Sequence, residues 1–432
     1  MTDAAVVGRI LREYHLRGVA PEGVRRLAGS MRGTEVSYQV TPDDAPSMVI
    51  RAFRADAPVP AQFSGSAAET MTHWVTGRAG TLACLAAAGY PAPRPVPCRT
   101  GELVGVAGLW LTWATSYVEG TALVPTLEQL RLLGGALGRL HRSGFDQTSW
   151  RPAGPGSLAG PAGSQSGSWP AGSAGGQRDR AAGEQAGPGA TARAAGPAAG
   201  SGGAAAWAGE AAPPGAQPGL AAWHPAAAVA GTLRRLGAVA PLLPGEWRDM
   251  HAAFVSCAEA VRQAAPDLPE ALVHGDAWPG NAVQPGAGQP GAGQPSARPS
   301  RSWRPGGGPV TLIDWETGGL GLPVLDLGHC LAECHLDSGL PPDKPEAWLV
   351  RADPHRIAAL VSGYREAREV TAAERALLPD AVRFGAAFVG AIHVEAALTG
   401  GASGPAMDAR LARLRNRLDI SAEVARLALR HL

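Results

Sequence analysis

Two short stretches constrain this chain most: Leu272-Val-His-Gly-Asp-Ala-Trp-Pro-Gly-Asn281 and, a little downstream, Val310-Thr-Leu-Ile-Asp-Trp-Glu316. Each is a β-branched or apolar run that ends in oxygen-bearing side chains, the way a buried strand delivers ligands to the edge of a site. A fold that brings the two together collects Asp276, Asn281 and Asp314, two carboxylates and a carboxamide, an oxygen set suited to Mg²⁺ beside a phosphate. Between them lies a biased segment, 285–308, with a Gly-Ala-Gly-Gln-Pro repeat where a hairpin loop of a few residues would be enough. Loop-closure entropy grows slowly with length, so a disordered loop insertion there leaves the flanking strands free to pair.

The rest of the chain supplies a scaffold in recognisable pieces. Val6, Val7, Ile10, Leu11 and Tyr14 fall at helical spacing and predict a first helix ending at Gly18. Short runs at 35–40 and 47–53 flank a Pro-Asp-Asp turn and predict a hairpin. Residues 67–88 read as helix, stopped by Gly89-Tyr-Pro-Ala-Pro, and 109–118 as a strand. Helical pattern follows at 126–141, with Thr126 as N-cap, then at 226–236, 247–264 and from Leu325 onward. From about Arg151 to Ala222 the sequence is almost wholly Ala, Gly, Pro, Ser and Gln without periodicity, which predicts a disordered insertion. The boundaries are then 1–115 for a small lobe, 116–150 for a hinge and first helix, 151–222 for the insertion and 223–432 for a larger lobe.

Charge narrows the partners. Lys and Arg total 38 against 37 for Asp and Glu, with no basic block or stripe, which gives no electrostatic case for nucleic acid or an anionic membrane. Five cysteines at scattered spacings are an odd number and read as reduced thiols. No apolar run reaches eighteen residues and the N-terminus lacks a signal-peptide pattern, so the expected location is cytoplasmic.

The order H-G-D-x-x-x-x-N, then an apolar strand ending in I-D-W-E, resembles the aminoglycoside phosphotransferase and choline kinase-like family. The likeness continues in Gly321-Leu-Pro-Val-Leu-Asp-Leu327 and, upstream, in Gly33-Thr-Glu, Ala88-Gly-Tyr-Pro-Ala-Pro-Arg94 and Leu133-Gly-Gly-Ala-Leu-Gly-Arg-Leu-His141. It implies an α+β, bilobal protein-kinase-like fold with a β-rich N-lobe and a mainly helical C-lobe. It also implies transfer of phosphate from ATP, with Mg²⁺, to a hydroxyl of a small molecule. By that resemblance Asp276 is the base or orienting carboxylate, Asn281 and Asp314 bind Mg²⁺, and His274 buttresses the loop. Asp326 fits a capping or loop-anchoring role better than direct chemistry. Arg51 stands where a protein kinase has its phosphate-gripping lysine, and Glu69 is the sole acidic candidate for its partner between Asp56 and Glu102.

Three further readings complete the expectations. His329-Cys-Leu-Ala-Glu-Cys-His335 packs four soft ligands into seven residues, but one rigid helix cannot turn all four to one ion, so buried thiols under the site are expected. Glu333, Asp337 and Glu395 are available to meet a cationic acceptor, with surface solvation expected for each. The acceptor is open among choline, homoserine, a sugar or an antibiotic. The rival to an enzyme is a pseudokinase whose insertions recruit partners, favoured by a degenerate glycine-rich loop with Gly29 and Gly33 only.

Overall fold

The computed structural model describes residues 3–16, 19, 21–27, 35–43, 45–57, 71–142, 237, 246–285, 310–335, 350–399 and 405–432. The chain divides into two units, Met1–Pro152 with Ala211–Leu432, and Ala153–Glu210. Every described residue belongs to the first. The insertion expected at 151–222, all but Pro285 of the one expected at 285–308, the helix expected at 226–236, Gly29, Gly33, Glu69 and Asp337 lie outside the described residues.

The N-terminal part is a six-stranded antiparallel sheet. Its centre is Glu35–Val40 (β2), Met48–Arg54 (β3) and Trp110–Ser116 (β6), flanked by Val24–Arg26 (β1), Pro95–Val96 (β4) and Val104–Ala107 (β5), in the order β1-β2-β3-β6-β4 with β5 also on β6. Alternation along the strands separates two faces. Val36, Tyr38, Val40, Ile50, Ala52 and Ala114 face Val6, Ile10 and Tyr14 of helix α1 (Asp3–Glu13). Phe53, Leu111 and Trp113 face Trp74 and Leu82 of helix α2 (Met71–Ala87), with Phe53 edge-on to Trp74 at 5.2 Å and to Trp113 at 6.1 Å. Trp74 is 2% exposed, and truncating it to alanine would cost about 3–5 kcal/mol. Helix α1 ends at Glu13, short of the expected Gly18. His15 takes the left-handed conformation (φ 57°) and the Leu16 amide closes back onto the Leu11 carbonyl at 3.0 Å, a C-cap in which histidine stands in for the usual glycine.

The remainder is mostly helical. Helix α3 (Leu127–Arg142) starts at Thr126, whose hydroxyl accepts the Gln129 amide at 3.3 Å. It packs on helix α6 (Pro354–Ala367) along a glycine seam. A Cβ on Gly134 would strike the Leu360 carbonyl, one on Gly138 would lie 2.7 Å from the Tyr364 carbonyl, and one on Gly363 would strike the carbonyl of Arg131. Helix α4 (Glu246–Ala264), the wholly buried α5 (Pro323–Glu333), α7 (Ala372–Thr399) and α8 (Pro405–Leu429) complete this part. A capping box starts α7, with Thr371 and Glu374 exchanging side-chain-to-amide bonds of 2.9 and 3.2 Å. This is the small sheet-rich lobe and larger helical lobe expected from the sequence.

Three short ladders deliver the site. Ala282–Gln284 (β9) pairs with Thr311–Leu312 (β10), Leu312 opposite Ala282, so the two stretches do meet as a hairpin. Thr121–Ala122 (β7) extends that sheet on β9. Ala271–Val273 (β8) pairs with Gly319–Gly321 (β11), a ladder the sequence reading lacked.

Candidate active site

The loop after β8 is built around one buried carboxylate. Asp326, in the first turn of α5 and fully buried, accepts the His274 amide on Oδ2 at 2.6 Å and the Gly275 amide on Oδ1 at 3.0 Å. His141, at the end of α3, donates Nε2–H to the same Oδ2 at 3.0 Å and takes the Tyr364 hydroxyl on Nδ1 at 2.7 Å. Burial alone would push the Asp326 carboxyl up; His141 and the His274 amide outweigh it and hold it below the ordinary range. Asp326 therefore anchors the loop. The glycine seam of α3 and α6 sets His141 beside Tyr364 and so belongs to the same support.

Gly275 sits at φ 78°, a left-handed position that glycine takes without cost, and it turns the chain so that Asp276 emerges. His274 ties the two stretches together: its Nδ1 accepts the Asp276 amide at 3.3 Å and its Nε2–H donates to the Ile313 carbonyl at 2.8 Å. The Asn281 carbonyl accepts the Ile313 amide at 2.9 Å, which sets Asn281 beside the residue preceding Asp314.

Asp276 is gripped at both oxygens. Asn281 Nδ2 donates to Oδ2 at 2.7 Å and to the Asp276 carbonyl at 3.0 Å, while His329 Nε2 donates to Oδ1 at 3.0 Å. The Asp276 side chain is nonetheless 36% exposed, open to a substrate, whereas that of His329 is 0%. One edge of the carboxylate is accessible, but the protein packed around the rest of it desolvates the charge, outweighs these bonds and raises the Asp276 carboxyl above its ordinary value; with His329 the order reverses, burial lowering its pKa but the bond to Asp276 raising it overall.

Across from this loop, Arg51 of β3 reaches Asp314. Its Nη2 donates to Asp314 Oδ1 at 2.8 Å, and its Nη1 pairs with Glu35 at 3.4 Å and, more closely, with Glu316. Arg51 lies on a central strand, opposite Ser37 and Trp113. Glu35 shares its face by strand alternation. Three carboxylates meet one guanidinium, a formal excess of two negative charges. Burial, with Arg51 opposing and Asp314 adding to it, pushes the Glu35 carboxyl up. The excess, with hard oxygen donors from Asp314 and from Asn281, whose Nδ2 is already committed to Asp276, fits a divalent cation. Asp314 itself takes φ 66°, a strained position that the surrounding bonds must sustain.

Glu316, Glu35, His329 and Arg78 were not singled out for the site from sequence. Arg78, 1% exposed on α2, donates Nε to the Glu316 carbonyl at 2.7 Å and Nη1 to the Gly318 carbonyl at 2.8 Å, so the helix grips the loop after Asp314. No acidic residue occurs in α2. Of the Cys/His cluster, His329 turns to Asp276 and Cys334 donates to the Leu331 carbonyl at 3.2 Å. Glu333, expected at the surface, is instead buried against Arg417 of α8, with which it forms an ion pair. The Glu395 side chain lies outside the described residues.

No family model and no curated protein matches the sequence. The fold does match solved structures. A structure of amicoumacin kinase with AMP-PNP and Ca²⁺ superposes with a TM-score of 0.56 at 14% identity, covering 98% of this chain and 94% of that one. The ethanolamine kinase of Plasmodium vivax gives 0.51 at 9% identity, with 96% and 88% covered. Spectinomycin phosphotransferase with ADP and spectinomycin gives 0.50 at 10%, with 100% and 99%. The chain has the fold of these small-molecule kinases. Within that kinase-like fold, the loop 274–281 and the strand end 313–316 are held against each other and face Arg51 from the sheet lobe. Among the described residues no helix is long and apolar enough to cross a membrane.

Proposed function

We propose that this chain is an ATP-dependent phosphotransferase that phosphorylates a hydroxyl of a small molecule. The observation that carries the reading is the convergence of Asp276, Asn281, Asp314 and Arg51 from three separate segments, the loop 274–281, the strand end 313–316 and β3. Phosphoryl transfer asks a protein for alignment and charge neutralisation rather than covalent chemistry. Asp276, exposed enough to meet a substrate and raised in pKa by burial, orients the acceptor hydroxyl and takes its proton. Asn281 and Asp314 hold Mg²⁺, which when bound neutralises phosphate charge; two side chains suffice where the phosphates supply other ligands. Arg51 binds phosphate with its planar fork, and Glu35 and Glu316 hold that fork in place. His274 and Asp326 keep the loop in register. Adenine would bond backbone groups of 115–118, between a lobe ending near 115 and the helical remainder.

The test combines thermal-shift titration with Mg·ATP and phosphate transfer across a panel of amino alcohols, sugars and aminoglycosides. Stabilisation together with turnover on one acceptor class supports the enzyme. No stabilisation and no turnover removes it and leaves the partner-binding pseudokinase.

A further inference from the structure

The carboxylate of Asp276 has two side-chain partners, and only Asn281 belongs to its own loop. The other, His329, comes from the middle of the buried helix α5, three residues on from the loop anchor Asp326. We propose that His329 is a positioning residue for Asp276, fixing the plane of its carboxylate toward the acceptor hydroxyl; this rests on the reading of Asp276 given above.

A carboxylate torsion is broad and roughly two-fold, so a single hydrogen bond leaves the group free to swing. Here Asn281 takes Oδ2 at 2.7 Å and His329 takes Oδ1 at 3.0 Å, from two separate segments. Two anchors at opposite oxygens fix the plane. An ionised carboxylate has about four lone-pair directions, so one bond per oxygen leaves directions open for an incoming hydroxyl.

The anchor itself is rigid. A Cβ on Gly385 would lie 2.7 Å from the His329 Cα, and one on Gly328 would lie 2.7 Å from the Ala381 carbonyl oxygen, so α5 and α7 touch backbone to backbone at this point. The His329 ring meets Phe388 edge-on at 6.5 Å. Its side chain is wholly buried, where an imidazole costs stability unless its polar atoms are used. A leucine would pack on such a helix face at no polar cost. The histidine is accounted for by what its Nε2–H does to Asp276, and a nitrogen committed there is not offered to a metal within the Cys/His cluster.

The experiment uses the full chain and compares wild type, His329→Leu and His329→Gln, whose side-chain amide places a donor near the position of Nε2. Rates are measured with Mg·ATP and the best acceptor from a panel of amino alcohols, sugars and aminoglycosides. His329→Leu is expected to lower kcat by about 10²-fold with KM for Mg·ATP unchanged, and His329→Gln to recover most of the loss. Full kcat in His329→Leu, equal losses in both variants, or a loss confined to KM would overturn the proposal. A second arm needs no turnover: in ¹⁵N-imidazole NMR spectra the Nε2–H signal that disappears in His329→Gln must shift in Asp276→Asn. If Mg·ATP does not stabilise wild type and it transfers phosphate to nothing on the panel, the proposed function fails on its own, and an unshifted signal then overturns the His329 assignment separately.

Discussion

The two halves of the candidate site are built on opposite plans. Around Asp276 nearly every polar atom is matched to a partner within the helical lobe: Asp326 holds two backbone amides and His141, His274 bridges two segments, and Asn281 and His329 divide one carboxylate. Around Arg51 the partners are charges alone, three carboxylates from β2 and the 314–316 loop on one guanidinium, with the Asp314 side chain 39% exposed. The first arrangement is complete without a ligand. The second carries a formal excess of two negative charges, which the Mg²⁺ of the proposed function would offset. In that proposal alignment is stored in the protein, while charge compensation is left to what binds.

That contrast can be broken at either end. Asp276→Asn should abolish phosphate transfer by about 10³-fold with thermal unfolding unchanged, measured by steady-state rates and a melt; retention of full rate would reject its role. Asp326→Asn replaces one of the two accepting oxygens with a donor NH₂ and removes the charge paired with a buried histidine, so it should cost about 3 kcal/mol of stability in urea unfolding, with or without nucleotide. Arg51→Lys keeps the charge but loses the fork. It should leave the melt without nucleotide near wild type and weaken the Mg·ATP response about tenfold, read by thermal-shift titration. An equal loss of stability from Arg51→Lys and Asp326→Asn would erase the distinction.

The smallest effect is one of pH. Burial lowers the His335 pKa to about 4, and burial also lowers that of His141 despite Asp326. A histidine depressed in the folded state takes its proton first when unfolded, so its stabilising contribution is whole above the unfolded value near 6.5 and is lost as pH falls through the folded value. Urea unfolding at pH 7 and pH 5.5 should differ by about 1 kcal/mol for His335 alone, and His335→Gln should remove that share of the slope.

Much of the helical-lobe half was legible because it is local. H-G-D-x-x-x-x-N and I-D-W-E each bring their residues within ten positions, so a strand and a turn suffice to place them. The β9–β10 pairing followed from the pattern of the two runs, and the hairpin of β2 and β3 from alternation. What escaped was long-range. Glu35 meets Arg51 across 16 positions and Arg78 meets the Glu316 carbonyl across 238, and nothing in a local period says which distant carboxylate or carbonyl a buried arginine will meet. Glu333 was misread for the same reason, since its partner Arg417 lies 84 residues on. His329 was weighed only with its sequence neighbours, and its partner is Asp276.

The glycine seam between α3 and α6 has a consequence for variation in this protein. Gly134, Gly138 and Gly363 touch no candidate ligand, yet even one added methyl meets backbone that has nowhere to go. In a saturation scan these positions should form a second intolerant stripe, set apart from the candidate site residues and failing through packing rather than through lost ligand contacts. Selection acting on them would preserve the absence of atoms, so part of what holds the Asp276 loop in place is inherited as empty space.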